Sequence, residues 1–237
     1  CAYVINEEVT NPIVTFFTKN GMVKQTILND FIVTRYNKVY TAMKLKDDDE
    51  LINVAITKPN TMLITKTGYY LNYTTSEIPV SGSKTSGVKG INLKDDVVVA
   101  GFTYNSDDEN INNFTNQGTA KRIKVKDLNM LTRAKRGTTL IKKVKAKDYE
   151  VVSAFITEAR DNIAFTCKED INIIKNSEIP IMDLVSTGSV ISKQKINDAF
   201  VVRELKVILD EDVTVKMEEE SNVKEMTIDD FIDDFKL

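Results

Sequence analysis

One short element recurs along this chain, and its recurrence limits the fold more than any other feature. Val14-Thr15-Phe16-Phe17-Thr18-Lys19-Asn20-Gly21-Met22-Val23-Lys24-Gln25-Thr26 reads as two strands folded about a tight turn. Apolar and polar residues alternate along it, as in a half-buried strand. Asn20-Gly21 predicts a two-residue type I′ turn, whose central positions both need positive φ. Met62 to Leu71 has the same layout around Gly68, and Asn113 to Arg122 has it around Gly118. A weaker fourth copy runs from Ile163 to Asn172, with Glu169 where the glycine stood. Gly21, Gly68 and Gly118 are 47 and 50 residues apart, and Glu169 follows 51 later. A period of that size carrying about four short strands marks the blades of a propeller-like fold. One such unit has little core of its own and is stabilised by stacking on its neighbours. No long stretch of the body sustains the 3.6-residue rhythm of helices.

The units predicted from this period span about residues 10–57, 58–104, 110–157 and 158–209. Cys1 to Ile5 reads as the last strand of a preceding blade, with residues 1–9 belonging to it, so the chain is expected to be part of a longer protein. The first three units each close on an apolar strand: Leu51 to Ile56, Val97 to Phe102, and Val151 to Ile156. Residues 210–237 differ. They hold eleven acidic and three basic residues, a balance of −8. Met217 to Lys236 fits a short amphipathic acidic helix or a disordered tail.

Composition excludes several chemistries. There is no histidine, and the cysteines are Cys1 and Cys167 alone, so neither a zinc site nor a His-dependent catalytic triad is available. Two distant cysteines make no disulfide framework, which points to a reducing, cytoplasmic setting. No apolar run is long enough to span a membrane as a helix. Cys167, at an alternating strand position with no activating base, reads as a buried structural thiol. Asp47-Asp48-Asp49-Glu50 and Asp107-Asp108-Glu109 lie among turn formers and read as solvated turns rather than metal ligands. Gly82 to Gly90 lacks the Gly-Lys-Ser/Thr and the following helix of a nucleotide loop. It reads as a glycine-bearing connection or as a flexible basic loop offering amides and lysines to phosphates. No metal, cofactor or catalytic residue is expected in this chain.

Net charge is −3 overall, but removing the tail leaves 29 basic and 24 acidic residues in the body, a balance of +5. Arg35 with Lys38, Lys84 with Lys89, and Arg133 with Lys135, Arg136 and Lys142 occupy comparable places in consecutive units. Lys24, Lys121 and Arg122 recur just after their turn glycines, and Lys66 precedes one. On a blade array such positions share a rim, and a curved basic band favours bent duplex DNA. Nothing has the pattern of a recognition helix, so binding is expected to be salt-sensitive and weakly selective for sequence. The acidic tail is a candidate competitor for that band.

Phe17-Thr18-Lys19-Asn20-Gly21-Met22-Val23-Lys24, Ser86-Gly87-Val88-Lys89-Gly90-Ile91-Asn92-Leu93 and Thr132-Arg133-Ala134-Lys135-Arg136-Gly137 resemble the C-terminal repeats of bacterial type IIA topoisomerase A subunits. The resemblance covers about residues 1–200. It implies an all-β β-pinwheel, a propeller-like disc whose blades exchange strands and whose basic rim binds and bends double-stranded DNA. It also implies that the strand-passage core of the same subunit, the ATPase subunit, ATP and Mg2+ all belong to the parent enzyme outside this chain. The gyrase branch carries a Gln-Arg-Arg-Gly-Gly-Lys-Gly box in its first blade, which is absent here. Arg133-Ala-Lys-Arg-Gly137 looks more like the topoisomerase IV branch. The alternative from another class is a propeller that serves as a protein-docking platform.

Overall fold

The computed structural model describes residues 12–32, 39–46, 48–108 and 110–202. Over these the chain is built from fifteen β-strands and four short 3-10 turns. The expectations for Cys1–Ile5, for Arg35 and Lys38, and for the acidic tail lie outside the described residues.

The recurring element is a hairpin in all four copies. β1 (Ile13–Thr18) pairs with β2 (Met22–Ile27), β4 (Asn60–Thr65) with β5 (Tyr69–Thr74), β8 (Asn110–Thr115) with β9 (Thr119–Lys124), and β12 (Asn162–Cys167) with β13 (Asp170–Lys175). A closing strand then pairs with the first strand of each hairpin: β3 (Leu51–Ile56), β7 (Val98–Tyr104), β11 (Val151–Thr157) and β15 (Asp198–Val202).

The first turn is not the two-residue type I′ form that Asn20-Gly21 predicts. Among the described residues only four non-glycines have positive φ, and Asn20 is not one of them. The Gly21 N–H donates to Thr18 O at 3.0 Å with Gly21 at φ 76°. This is a type I turn closed by a left-handed glycine, the three-residue hairpin. The fourth hairpin is shorter: Cys167 pairs with Asp170, and the left-handed residue is Lys168 at φ 56°, not Glu169. Acids from both runs read as turns do brace turns. Asp49 Oδ1 accepts the Asn20 N–H at 2.9 Å, and Asp108 Oδ2 accepts the Asn105 N–H at 2.7 Å; Asp96 Oδ1 likewise accepts the Thr67 N–H at 3.2 Å.

The sheets do not coincide with the sequence units, because each borrows its outermost strand from the unit that follows. β6 (Val88–Lys89) pairs with β2, β10 (Thr138–Thr139) with β5, and β14 (Ser189–Val190) with β9. Three four-stranded sheets result, and the fourth, β13-β12-β15, has three strands among the described residues. The closing strands adjoin one another along the inner side of the stack, and the exchanged strands form the outer edge. Apolar clusters fill the gaps between successive sheets. Phe17 and Val23 pack with Leu63, Leu71 and Tyr73; Ile64, Tyr70 and Phe102 pack with Ile111, Ile123 and Ala154; Phe114 and Ala120 pack with Ile163, Phe165 and Cys167.

Candidate nucleic-acid interface

Two kinds of connection carry the cations, and the exchange of strands places both. The first runs from each 3-10 turn to the exchanged strand, alongside the outer edge of the preceding hairpin, with bridges Gln25–Val80 and Arg122–Ile181. The second runs from the exchanged strand to the closing strand and wraps the preceding hairpin turn. Gly90, Leu140 and Ile191 donate their N–H groups to the carbonyls of Gly21, Gly68 and Gly118.

Lys24 and Lys121 do not lie on the rim. Both are buried, at 0% and 1% exposure. Lys24 Nζ donates to Ala42 O at 2.6 Å and Ser83 O at 2.7 Å, and lies 5.4 Å from the Phe16 ring centre. Lys121 Nζ donates to Leu184 O, Leu140 O and Ser186 O at 2.7, 2.8 and 3.0 Å. Burial pushes the Lys121 ammonium down to about 8, against the opposing pull of Asp183. Lys24 is lowered by burial too, with Asp30 opposing. These buried ammonium groups fasten loops from inside. The paired registers Phe16–Lys24, Leu63–Leu71 and Asn113–Lys121 put a buried leucine in the same slot of the second unit. That leucine was the sequence signal that the slot points inward.

The arginines are half-buried and serve the joints between units. Arg133 Nε donates to Glu77 O at 3.0 Å and its Nη1 to Lys89 O at 2.6 Å. Arg136 donates to Leu93 O and stacks over the Tyr69 ring, 4.3 Å from its centre. Arg122 Nε donates to Ile179 O at 2.5 Å. Each guanidinium thus links the connection of one unit to the backbone of another. Lys66 is exposed but paired with Glu150 at 3.1 Å.

Besides Lys66, the sequence-predicted cations that stand exposed among the described residues are Lys84, Lys89, Lys135 and Lys142. Lys89 Nζ donates to Asn92 Oδ1, and the Asn92 N–H donates to Lys135 O, so these two lysines neighbour each other across the exchange. Sequence reasoning missed a denser group. The second-type connection of the third unit is three residues longer than its counterpart in the second and carries Lys143, Lys145 and Lys147 beside Lys142, all exposed. The fourth unit places exposed Lys193 and Lys195 on its own such connection. The run was visible as Lys142-Lys143-Val144-Lys145-Ala146-Lys147, but its place on the hairpin-turn end was not.

A stack of four-stranded sheets with exchanged outer strands and cations along its edge and turn end defines a class, and sequence comparison agrees. The family described as DNA gyrase C-terminal domain, beta-propeller, matches residues 13–58, 60–104 and 114–158, and the chain belongs to it. It is 38% identical over 178 residues to the A subunit of DNA topoisomerase 4 from Bacillus subtilis, an alignment covering 73% of this chain and 22% of that protein. The chain therefore spans about a fifth of that relative. A crystal structure of the C-terminal domain of DNA topoisomerase IV superposes with a TM-score of 0.79 at 32% identity, covering 91% of this chain and 69% of that one. The DNA gyrase A C-terminal domain shares the fold, with a TM-score of 0.70 at 18% identity over 83% of this chain and 68% of that one.

Proposed function

We propose that this chain is the DNA-capturing and DNA-bending region of a topoisomerase IV A subunit. It holds a duplex along its basic edge and presents it to a strand-passage core elsewhere in the parent protein. The observation that carries the reading is the repetition of exposed lysines on equivalent connections of successive units. Lysines at intervals along a curve neutralise successive phosphates of a bent helix without reading bases. The higher identity to topoisomerase IV than to gyrase, 32% against 18% among the solved domains, favours that branch. ATP, Mg2+ and the catalytic groups would act in the parent's other domains, in partnership with the ATPase subunit. The setting would be the cytoplasm, at the nucleoid.

The test is retention of unrelated duplexes across a salt series, together with energy transfer between dyes on the two ends of one duplex. Binding is expected to weaken steeply with salt, with similar affinities across sequences and shortened end-to-end distances. Elution from duplex DNA at low salt, with no change in dye separation, would instead support the protein-docking alternative.

A further inference from the structure

The exposed lysines are not evenly spread, and their densest group lies where the first unit is acidic. The segment leading into β3 in the first unit contains Lys44 and Lys46 followed by four consecutive acids, Asp47 to Glu50, and the second-type connection of the second unit contains Lys94, Asp95 and Asp96. The third carries Lys142, Lys143, Lys145 and Lys147, followed by Asp148 and Glu150. Glu150 is already paired with Lys66, and among the described residues no acid lies within ion-pair distance of those four lysines.

The loop is held at both ends. Its start is fixed by the Leu140 and Ile141 N–H groups on Gly68 O, and its end by the Val151 N–H on Lys66 O at 2.8 Å. Lys143 Nζ lies 5.6 Å from the Tyr69 ring centre, on the ring that Arg136 also covers. Gln117 Nε2 donates to Asp148 O, and the Ser192 N–H donates to Gly118 O. The third hairpin turn is thus the common neighbour of this loop and of the connection bearing Lys193 and Lys195. The result is one patch of six exposed lysines on two backbone-anchored connections.

We propose that this patch, and not the Arg133-Ala-Lys-Arg-Gly137 segment, is the principal phosphate-binding site of the domain, and that its ligand is the backbone of duplex DNA. The inference rests on the DNA-binding reading above and adds its location. The arginines of the segment are engaged by carbonyls between units, whereas the lysines of the patch are exposed and have no ion-pair partner among the described residues, Lys143 lying beside the Tyr69 ring.

The experiment uses the full 237-residue chain and a fluorescent duplex titrated at several salt concentrations. One variant combines Lys142→Gln, Lys143→Gln, Lys145→Gln and Lys147→Gln; a comparison variant combines Lys84→Gln, Lys89→Gln and Lys135→Gln. Removing one lysine–phosphate pairing lowers the slope of log K against log salt by about 0.9. The loop variant is expected to lose roughly three units of slope and at least about 30-fold in affinity near 0.1 M salt, and the comparison variant about one unit or less. Unchanged slope in the loop variant, with the loss appearing in the comparison variant, overturns the location while DNA binding stands. Failure of the unmodified chain to bind at any salt overturns both. As a measurement free of substitutions, lysine acetylation of the unmodified chain should be suppressed by duplex at Lys143, Lys145 and Lys147 more than at Lys84.

Discussion

At the scale of single residues, lysine serves two opposite purposes in this molecule. Lys121 makes three carbonyl bonds of 2.7–3.0 Å inside the protein, to residues of the third unit and of the following one. Removing one partner of a buried charged interaction leaves the other groups desolvated and unmatched, which costs far more than a surface ion pair. Lys121→Met is therefore expected to lower unfolding free energy by roughly 2–4 kcal/mol in urea titration, whereas Lys145→Met should change it by less than about 0.5 kcal/mol. Protonation gives a second check. The Lys121 pKa is lowered to about 8 from the ordinary 10.5. Between those values the unfolded chain keeps a proton that the folded chain has lost, so this group's contribution to stability rises with pH in that window. Urea midpoints of the wild type, compared with Lys121→Met from pH 7.5 to 10, should show that rise in the wild type alone; a flat difference would count against a lowered pKa.

At the scale of elements, the joint between units is the exchanged strand and the connection leading into it. Two residues of strand are too few to hold by pairing alone, so the joint needs further anchors. Arg133 and Arg136 supply some by gripping carbonyls of the second unit. A double Arg133→Ala, Arg136→Ala variant would therefore loosen this joint as well as remove charge. Gly137 supplies another by close approach: it sits at φ 87°, and a Cβ there would meet Tyr70 O at 2.2 Å. Gly137→Ala thus combines left-handed strain with a backbone clash and is expected to cost at least about 2 kcal/mol. Gly82→Ala, on a neighbouring connection with nothing within 4 Å of the new carbon, should be close to neutral. Hydrogen exchange at the amides of Thr138, Thr139 and Tyr70 would report whether the loss is local to the exchanged strand.

At the scale of the whole molecule, stability should follow the stacking of one sheet on the next, since each sheet is too small to bury its own faces. Phe114 is fully buried between the third and fourth sheets, so Phe114→Ala is expected to cost about 3–5 kcal/mol. On the fourth sheet Ile171, Ile173 and Phe200 are 66%, 67% and 46% exposed, on the face that earlier sheets turn toward their successors. Ile173→Ala should accordingly cost under about 1 kcal/mol. Equal losses from the two substitutions, measured by thermal or urea unfolding, would mean that this face is covered in solution.

The hairpins, their period and the closing strands were legible in the chain because they rest on local rules. Alternation places residues on two faces, and turn residues end strands within a few positions. Even so, Asn20-Gly21 predicts a two-residue turn, and only the pairing of Phe17 with Val23 and the Thr18–Gly21 bond show the three-residue form instead. The candidate site was legible in outline alone. Spacing aligned Lys24 with Lys121 after the turn glycines, and Lys84 with Arg133 and Lys142 on the connections, but spacing carries no information about which side of a blade a side chain serves. That depends on strands contributed from some seventy residues away, such as Val190 beside Thr119, and on the carbonyls they bring with them. The local pattern thus determined a repeating β architecture and a basic body. The exchange of strands between units decided which cations became internal fasteners and which were left facing solvent.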